Sequence, residues 1–370
     1  MYYNGDDYNY VPPNIIVRDP TEISKFQYKR KAFVSGVFTL ESTIKKIKTG
    51  AFYKSNLTSI NLHNNINLIE RFSFSETSLI NISIPLSINR INFACFFDCR
   101  DLSNVVMHEN INYIDELAFS QNYALKNIDL ENIEHIEQFA FKDTPLENVN
   151  LKSVKKIGHT AFNNSNLSSL VIGKNLTEIK TSTFANNKIT YLILPKLLNK
   201  YTQGAFNNNK LNSITDNPVI AYSSSINNFD IQNLGNTIYL YDTNNEKFIK
   251  NVNNNEIFNF NMSIDVSASS LEIAGYTLLD LYNTGYILEN IFTETNYELK
   301  DALIFLPNTN ILFDIKNLNY SIFDIRDGGE ISLDKIQHLI PIYSVLDLRE
   351  AFTLQTMYNN NVSLNTLNPE

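Results

Sequence analysis

The chain has 370 residues, of which 43% are hydrophobic, so it is long enough for more than one folded unit. Its 39 acidic and 30 basic side chains give a net charge of −9, which disfavours nucleic acid or an anionic membrane surface as the main partner. Two cysteines are too few for a secreted disulfide scaffold, and no apolar run is long enough to predict a membrane span.

The N-terminal segment is polar and acidic. Residues 1–7 lack the basic start and the apolar stretch of a secretory signal, so we expect a cytoplasmic or virion-associated protein. Terminal coils of stacked-repeat proteins cover an open core. We therefore predict an N-terminal cap over residues 1–43, with Phe33 as the ring of a degenerate first coil, and we interpret the basic residues at 29–31 and 45–46 as solvated cap surface.

A phenylalanine recurs every 21 to 23 residues through the middle of the chain. The eight copies are Phe52, Phe74, Phe96, Phe119, Phe141, Phe162, Phe184 and Phe206. A fixed period of this length indicates one supersecondary unit stacked on itself. We expect the eight rings to form a continuous column inside the stack, where each buries roughly 150 Å².

Other positions repeat with the phenylalanine. Seven copies have an isoleucine five residues earlier, as Ile47 precedes Phe52, and a small residue comes directly before the ring. After the ring, apolar residues alternate with polar ones, as from Leu57 to Leu62, which is typical of a strand with one buried face. The stretch from the isoleucine to the phenylalanine does not alternate, which favours a turn or helical return.

This pattern resembles the BspA-like leucine-rich repeats, whose unit reads roughly L-x-x-I-x-I-P…I-x-x-x-A-F-x-x-C. The stretch from Leu79 to Cys99 carries it best, with Pro85, Ile91 and Phe96 in place. The resemblance covers about residues 44–214 and implies a curved solenoid with a parallel β-sheet that is used for binding and not for catalysis. We assign residues 44–217 to this leucine-rich-repeat solenoid, a mixed α/β repeat.

The strand residues between the buried positions are predicted to form an exposed face. Candidate binding residues on it are Asn81, Asn104, Asn127, Asn148, Val171, Tyr191 and Ile193. Asparagine amides at a spacing of about 4.8 Å can bond to the copy above, so a structural ladder is the favoured interpretation and a polar surface for a protein or glycan is the alternative. The three apolar residues are either interface anchors or, as we favour, covered by the following domain.

Two features could carry chemistry. Cys95 and Cys99 lie four residues apart, as a metal or redox pair could, but other copies fill their positions with small or polar residues, which favours a core role. The five histidines are spread along the chain, and no metalloprotease, phosphate-loop, hydrolase or dinucleotide motif is present. We predict no catalytic, cofactor-binding or metal-binding residue and no cofactor.

Beyond residue 217 the period is lost. Strand-like runs at 237–241 and 247–252 flank turn-forming residues, which predicts a hairpin within a short β connector over 218–270. Residues 271–370 carry a shorter repeat, beginning with Tyr276 and Thr277, in which Ser or Thr is placed as a helix N-cap. This predicts a mainly α-helical short-repeat domain.

These observations favour a non-enzymatic interaction or scaffold protein. Its partners are expected to be proteins within a larger assembly, and a structural or attachment component of a particle such as a virion is one form of that role. The first alternative is an exported adhesin that binds a host. The second is a hydrolase with its site in residues 218–370.

Overall fold

The computed structural model describes residues 20–202, 204–211, 266–304 and 309–328, the backbone of four strands between 220 and 259, and residues 339, 343, 348, 351 and 352. The chain divides into two compact units. The first contains residues 1–170, 176–189 and 200–210, and the second contains residues 171–175, 190–199 and 211–370. The predicted domain limits at 43, 217 and 270 stay predictions.

Short strands follow one another along the repeat region. They are β1 (Glu22–Ile23), β2 (Val37–Phe38), β3 (Lys46–Ile47), β4 (Ser59–Ile60), β5 (Leu68–Ile69), β6 (Asn81–Ser83), β7 (Arg90–Ile91), β8 (Asn104–Val106), β9 (Tyr113–Ile114), β10 (His135–Ile136), β11 (Lys156–Ile157), β12 (Ser169–Val171), β13 (Glu178–Ile179), β14 (Tyr191–Ile193) and β15 (Lys200–Tyr201). The region is a parallel β-solenoid of about eight turns, as predicted from the period.

The isoleucines that precede each ring form a line of short parallel strands. Ile114 pairs in register with Ile91 on one side and Ile136 on the other, and Ile23 and Ile69 flank Ile47 in the same way. These isoleucines are buried, so their alignment closes one side of the core. The sequence had favoured a turn or helical return for the stretch that begins at these isoleucines. The strands were not expected, because a two-residue strand is too short to show alternation.

The phenylalanine rings form the predicted column. From Phe52 to Phe206 successive ring centroids lie 5.2–5.5 Å apart, with interplanar angles of 3–11°. The column begins with Tyr28, whose ring stacks on Phe52 at 5.3 Å. The prediction of Phe33 as the first ring was wrong: its ring tilts against Tyr28 and Phe52 without joining the stack. The correct signal was Ile23, which precedes Tyr28 by the usual five residues.

Each ring sits between two residues in the left-handed backbone region. Residues two before and two after the ring have positive φ, as Leu117 and Gln121 do around Phe119, with φ of 60° and 63°. Five of the eight positions after the ring hold Asp or Asn, and Gly50 and Gly204 occupy positions before it. These residue types adopt this conformation at the lowest cost, so they favour the paired turns that reverse the chain.

Backbone hydrogen bonds tie these turns from coil to coil. The Phe119 N–H donates to the Ala140 carbonyl at 2.8 Å, and the N–H groups of Leu117 and Gln121 donate to the same next coil. Alternate N–H groups of the turn are therefore satisfied by the neighbouring coil, as buried backbone requires.

The second unit has its own run of paired strands, which begins with β14. Its further strands are β16 (Ile220–Ser223), β17 (Ile238–Asp242), β18 (Lys247–Val252) and β19 (Glu256–Asn259). β16 runs parallel to both β14 and β17, whereas β18 is antiparallel to β17 and to β19. The pairing of β17 with β18 confirms the predicted hairpin.

Short helices follow in the same unit. They are α1 (Ala268–Ile273), α2 (Leu278–Thr284), α3 (Leu288–Glu294), α4 (Leu299–Leu303), α5 (Thr309–Asn317) and α6 (Ile322–Gly328). Thr277 forms a capping box with Asp280, as its predicted N-cap position requires, and Gly285 ends α2 with φ of 105°. The copies proposed beyond residue 330 fall mostly outside the described residues.

These helices form a second stack with two helices per turn. α1 packs against α3, α2 against α4, α3 against α5 and α4 against α6. Tyrosines before the helices link these turns: the hydroxyl of Tyr286 donates to the Val266 carbonyl at 2.7 Å, and that of Tyr297 to the Tyr276 carbonyl at 2.8 Å. Each carbonyl belongs to the residue that precedes the N-cap of a helix two positions back.

Candidate functional site

The exposed strand face includes β6 and β8, which lie side by side. Asn81 pairs in register with Asn104, and Ser83 with Val106. All four side chains are exposed, whereas Ile82 and the residue beside it in β8 are buried. The period-two pattern therefore places the two asparagines on the outer surface, as predicted.

Asn127 and Asn148 continue this exposed asparagine column, which consists of Asn81, Asn104, Asn127 and Asn148. Both are exposed, although neither lies within a strand. Within the described residues, the side-chain amides of the column form no hydrogen bond with one another or with other groups of the chain. The favoured interpretation of a structural ladder at these positions is therefore not supported.

Most side chains of a second polar column, which lies inside the solenoid, are hydrogen-bonded, although the Ser55 hydroxyl and Asn122 Nδ2 are buried without a partner among the described residues. It consists of the third residue after each of the eight phenylalanines: Ser55, Thr77, Cys99, Asn122, Thr144, Ser165, Asn187 and Asn209. Asn187 Nδ2 donates to the carbonyls of Phe162 and Phe184 at 2.8 and 3.0 Å, and Thr144 Oγ1 donates to the Phe119 carbonyl at 2.6 Å. The sequence contained the signal, because this position is always a small hydroxyl, thiol or amide residue.

Both cysteines are buried core residues, as predicted. Cys99 belongs to this internal polar column, where its Sγ donates to the Phe74 carbonyl at 3.0 Å. Burial raises the pKa of Cys95, and burial, opposed by the Thr77 hydroxyl, raises that of Cys99 to about 11. Both thiols are unpaired and stay protonated near neutrality, which suits packing better than redox chemistry.

Val171, Tyr191 and Ile193 occupy a different environment within the second unit. Ile193 is fully buried in a core with α1 and α2, and Val171 and Tyr191 pack partly buried against it. Burial also raises the pKa of Tyr191. These three side chains contact helices, so they do not extend the exposed asparagine column.

Two polar contacts fix this packing. Lys196 Nζ lies 2.6 Å from Oδ2 of Asp280, which is 1% exposed, and the Lys196 N–H donates to the Ala274 carbonyl at 2.9 Å. Lys174 N–H donates to the Ile273 carbonyl at 2.8 Å, and Gly275 leaves the space that the Lys174 side chain fills.

Ion pairs join successive coils outside the core. Lys48 Nζ lies 2.6 Å from Glu70, and Lys156 Nζ lies 2.7 Å from Glu137. Partial burial opposes ionisation of both carboxyls. The hydrogen bonds from the lysines, together with those from Thr49 to Glu70 and from Tyr113 to Glu137, outweigh it and lower the pKa of both acids. Because each of these two acids is paired with a lysine, the ion-pair ladder that they form adds little net charge to the surface.

The described histidines lie apart from one another and serve the packing of coils. His108 contacts the Pro85 carbonyl at 2.9 Å, His135 stacks on Tyr113, and His159 meets the edge of Phe139. The described residues contain no group of three His, Cys, Asp or Glu side chains placed to hold a metal ion. No helix of the described ranges is both long enough and apolar enough to cross a bilayer.

The sequence matches the family model of the BspA type leucine-rich repeat region, with 6 copies, over residues 21–144 and 134–264. This span extends the predicted repeat region of 44–214 at both ends. A comparison with curated proteins gives no match.

Solved structures give further likenesses. A leucine-rich repeat protein from Bacteroides ovatus is 21% identical, with a TM-score of 0.47, over 55% of this chain and 52% of that one. The pneumococcal vaccine antigen PcpA is 18% identical, with a TM-score of 0.35, over 56% of this chain and 68% of that one. A leucine-rich cell surface protein from Faecalibacterium prausnitzii is 21% identical, with a TM-score of 0.35, over 50% and 53%. The chain thus spans about half the length of the first of these.

Proposed function

This chain belongs to the BspA-type leucine-rich repeat family, and from that premise we propose that it is a non-enzymatic scaffold whose exposed strand face binds a protein partner. The observation that carries the proposal is the exposed asparagine column. Each amide can donate and accept hydrogen bonds, and within the described residues the chain uses neither capacity. A polypeptide segment laid along the column would meet donors and acceptors in register.

An apolar residue beside the column supports the same function. Val106 is 50% exposed and lies on the β8 strand that also carries Asn104. Protein interfaces combine such an apolar contact with a polar rim, whereas a surface of amides alone offers little area to remove from water. The two stacked modules of the chain suit a component of a larger assembly, such as a virion.

The test is a comparison of retained partners. Full-length protein, an Asn81→Lys/Asn104→Lys variant and an Asn89→Lys/Asn132→Lys control are used as bait in lysate from the source cells. Asn89 and Asn132 are exposed but lie outside strands. We expect a defined protein to be retained by the wild type and the control and lost by the face variant.

Other outcomes would reject the proposal. Equal retention by all three baits would show that the strand face is not used. Retention of host surface proteins alone would favour the adhesin alternative, and turnover of a small molecule by the purified chain would favour an enzyme.

A further inference from the structure

The first two coils carry an unusual concentration of positive charge. Residues 20–58 contain eight basic and two acidic side chains, a net charge of +6 in a chain whose total is −9. Lys25 and Arg30 are exposed, and Lys29 and Lys54 are half-buried. This imbalance is confined to one end of the first unit, so it is a local feature and not a property of the whole surface.

The charges are held together by two aromatic rings. Lys25 Nζ and Lys29 Nζ lie 5.5 and 5.3 Å from the centroid of Phe26, and Lys29 Nζ and Lys54 Nζ lie 5.6 and 5.1 Å from that of Tyr53. Such contacts orient an ammonium group without neutralising it. We call these six residues, Lys25, Phe26, Lys29, Arg30, Tyr53 and Lys54, the N-terminal basic patch.

The backbone builds this patch from two adjacent turns. The Phe26 N–H donates to the Thr49 carbonyl at 3.0 Å, and the Arg30 N–H donates to the Tyr53 carbonyl at 2.8 Å. Gly50 is needed beneath the ring, because a Cβ there would lie 2.2 Å from Phe26 Cε1. Burial and the charges of Arg30 and Lys54 lower the pKa of Lys29, as expected where cations are crowded.

The third coil, which contains Glu76, shows how a carboxylate pairs with a lysine of the patch. Arg30, Lys54 and Glu76 occupy the same position, two residues after the ring, in three successive coils. Glu76 lies 3.4 Å from Lys54 and accepts a hydrogen bond from the Tyr53 hydroxyl at 2.8 Å. Among the described residues, no carboxylate does the same for Arg30 or Lys25.

We propose that the N-terminal basic patch binds an acidic segment of a protein partner, whose carboxylates take the place that Glu76 takes for Lys54. A single-stranded nucleic acid is disfavoured, because lysine ammonium groups already lie over Phe26 and Tyr53 and restrict base stacking on them. This surface is separate from the strand face, so the proposal goes beyond the proposed function and can fail without it.

The experiment measures binding of a short fluorescent peptide of alternating Asp and Glu to the full chain by anisotropy, at about 50 mM and about 300 mM salt. We expect binding at low salt that weakens at high salt. A Lys25→Gln/Lys29→Gln/Arg30→Gln variant should bind about tenfold more weakly or worse. The charge-preserving Lys25→Arg/Lys29→Arg/Arg30→Lys variant should keep the affinity.

A Lys126→Gln/Lys155→Gln/Lys188→Gln control removes equal charge from later coils and should bind like the wild type. Circular dichroism checks that each variant is folded. Equal binding by the wild type and the patch variant, or no binding by either, would overturn the proposal. Tighter binding of a single-stranded oligonucleotide of equal charge, lost in the patch variant, would also overturn it in favour of a nucleic-acid site.

Discussion

The Tyr297 hydroxyl donates a hydrogen bond to the Tyr276 carbonyl oxygen at 2.8 Å, across one two-helix turn of the C-terminal stack. Tyr297→Phe keeps the ring and leaves that carbonyl without this donor. We expect the free energy of unfolding of the helical unit to fall by about 1 kcal/mol. Urea denaturation followed by helical circular dichroism measures the change, with the exposed Tyr123→Phe as the control. Equal losses in both variants would contradict a role for this bond.

The ring column predicts a dependence on position. Phe119 stacks between two rings, whereas Phe206 is the last of the eight and is 6% exposed. Phe119→Ala should cost about 3–5 kcal/mol of unfolding free energy, and Phe206→Ala should cost less. Denaturant titration of both variants checks the order. A larger loss at Phe206 would mean that the stack is not the main source of stability.

The internal polar column and the exposed asparagine column predict opposite responses to the same change. Asn187 holds the carbonyls of Phe162 and Phe184 and accepts from the Leu167 N–H, so Asn187→Ala should cost about 2–3 kcal/mol. Asn104→Ala should change stability by less than about 0.5 kcal/mol. Thermal unfolding of the two variants tests this, and similar midpoints would show that the two columns are equivalent.

A threonine in the left-handed region offers a stabilising change. Thr160 has φ of 61°, which is unfavourable for a β-branched residue. Thr160→Gly should raise the unfolding free energy by roughly 0.5–1 kcal/mol, because glycine accepts this conformation without a Cβ clash. Thr177, which is exposed and is not among the residues with positive φ, gives the reverse control: Thr177→Gly should lower stability. The opposite signs are measurable by urea titration.

The ion-pair ladder predicts a loss of stability in acid. The pKa of Glu70 and that of Glu137 lie below their ordinary value of 4.5 in the folded chain. Their contribution is therefore complete above pH 4.5 and disappears as the pH falls through the lowered pKa values. Unfolding free energy measured from pH 6 to pH 3 should fall more steeply for the wild type than for Glu70→Gln/Glu137→Gln. Parallel curves would contradict the linkage.

The sequence predicted the repeat because its period is set by packing. Phe52 to Phe206 must occupy equivalent sites, so their spacing alone indicated the stack and its parallel strands. Tyr28 was missed because it departs from phenylalanine, although Ile23 keeps the spacing. The first ring was therefore predictable from the whole pattern but not from one residue type.

The hydrogen-bond partners of the polar side chains were harder to predict than the positions of the repeats. The sequence contains asparagines both at Asn104 and at Asn187, and nothing in the residue type says which one bonds between coils. Asn187 lies inside because it follows Phe184 by three residues, and this spacing places its side chain against the carbonyls of the turn. Similarly, the tyrosines before the helices were recognisable as a repeat, but their carbonyl partners depend on how helices two positions apart pack.

The uniform spacing of the rings has a consequence for how such a chain changes over time. Because each coil presents nearly the same upper and lower surface, a duplication or loss of one unit of about 22 residues would leave the remaining rings in contact. The length of the molecule can then vary by whole coils through recombination, while the residues on its outer surface diverge independently.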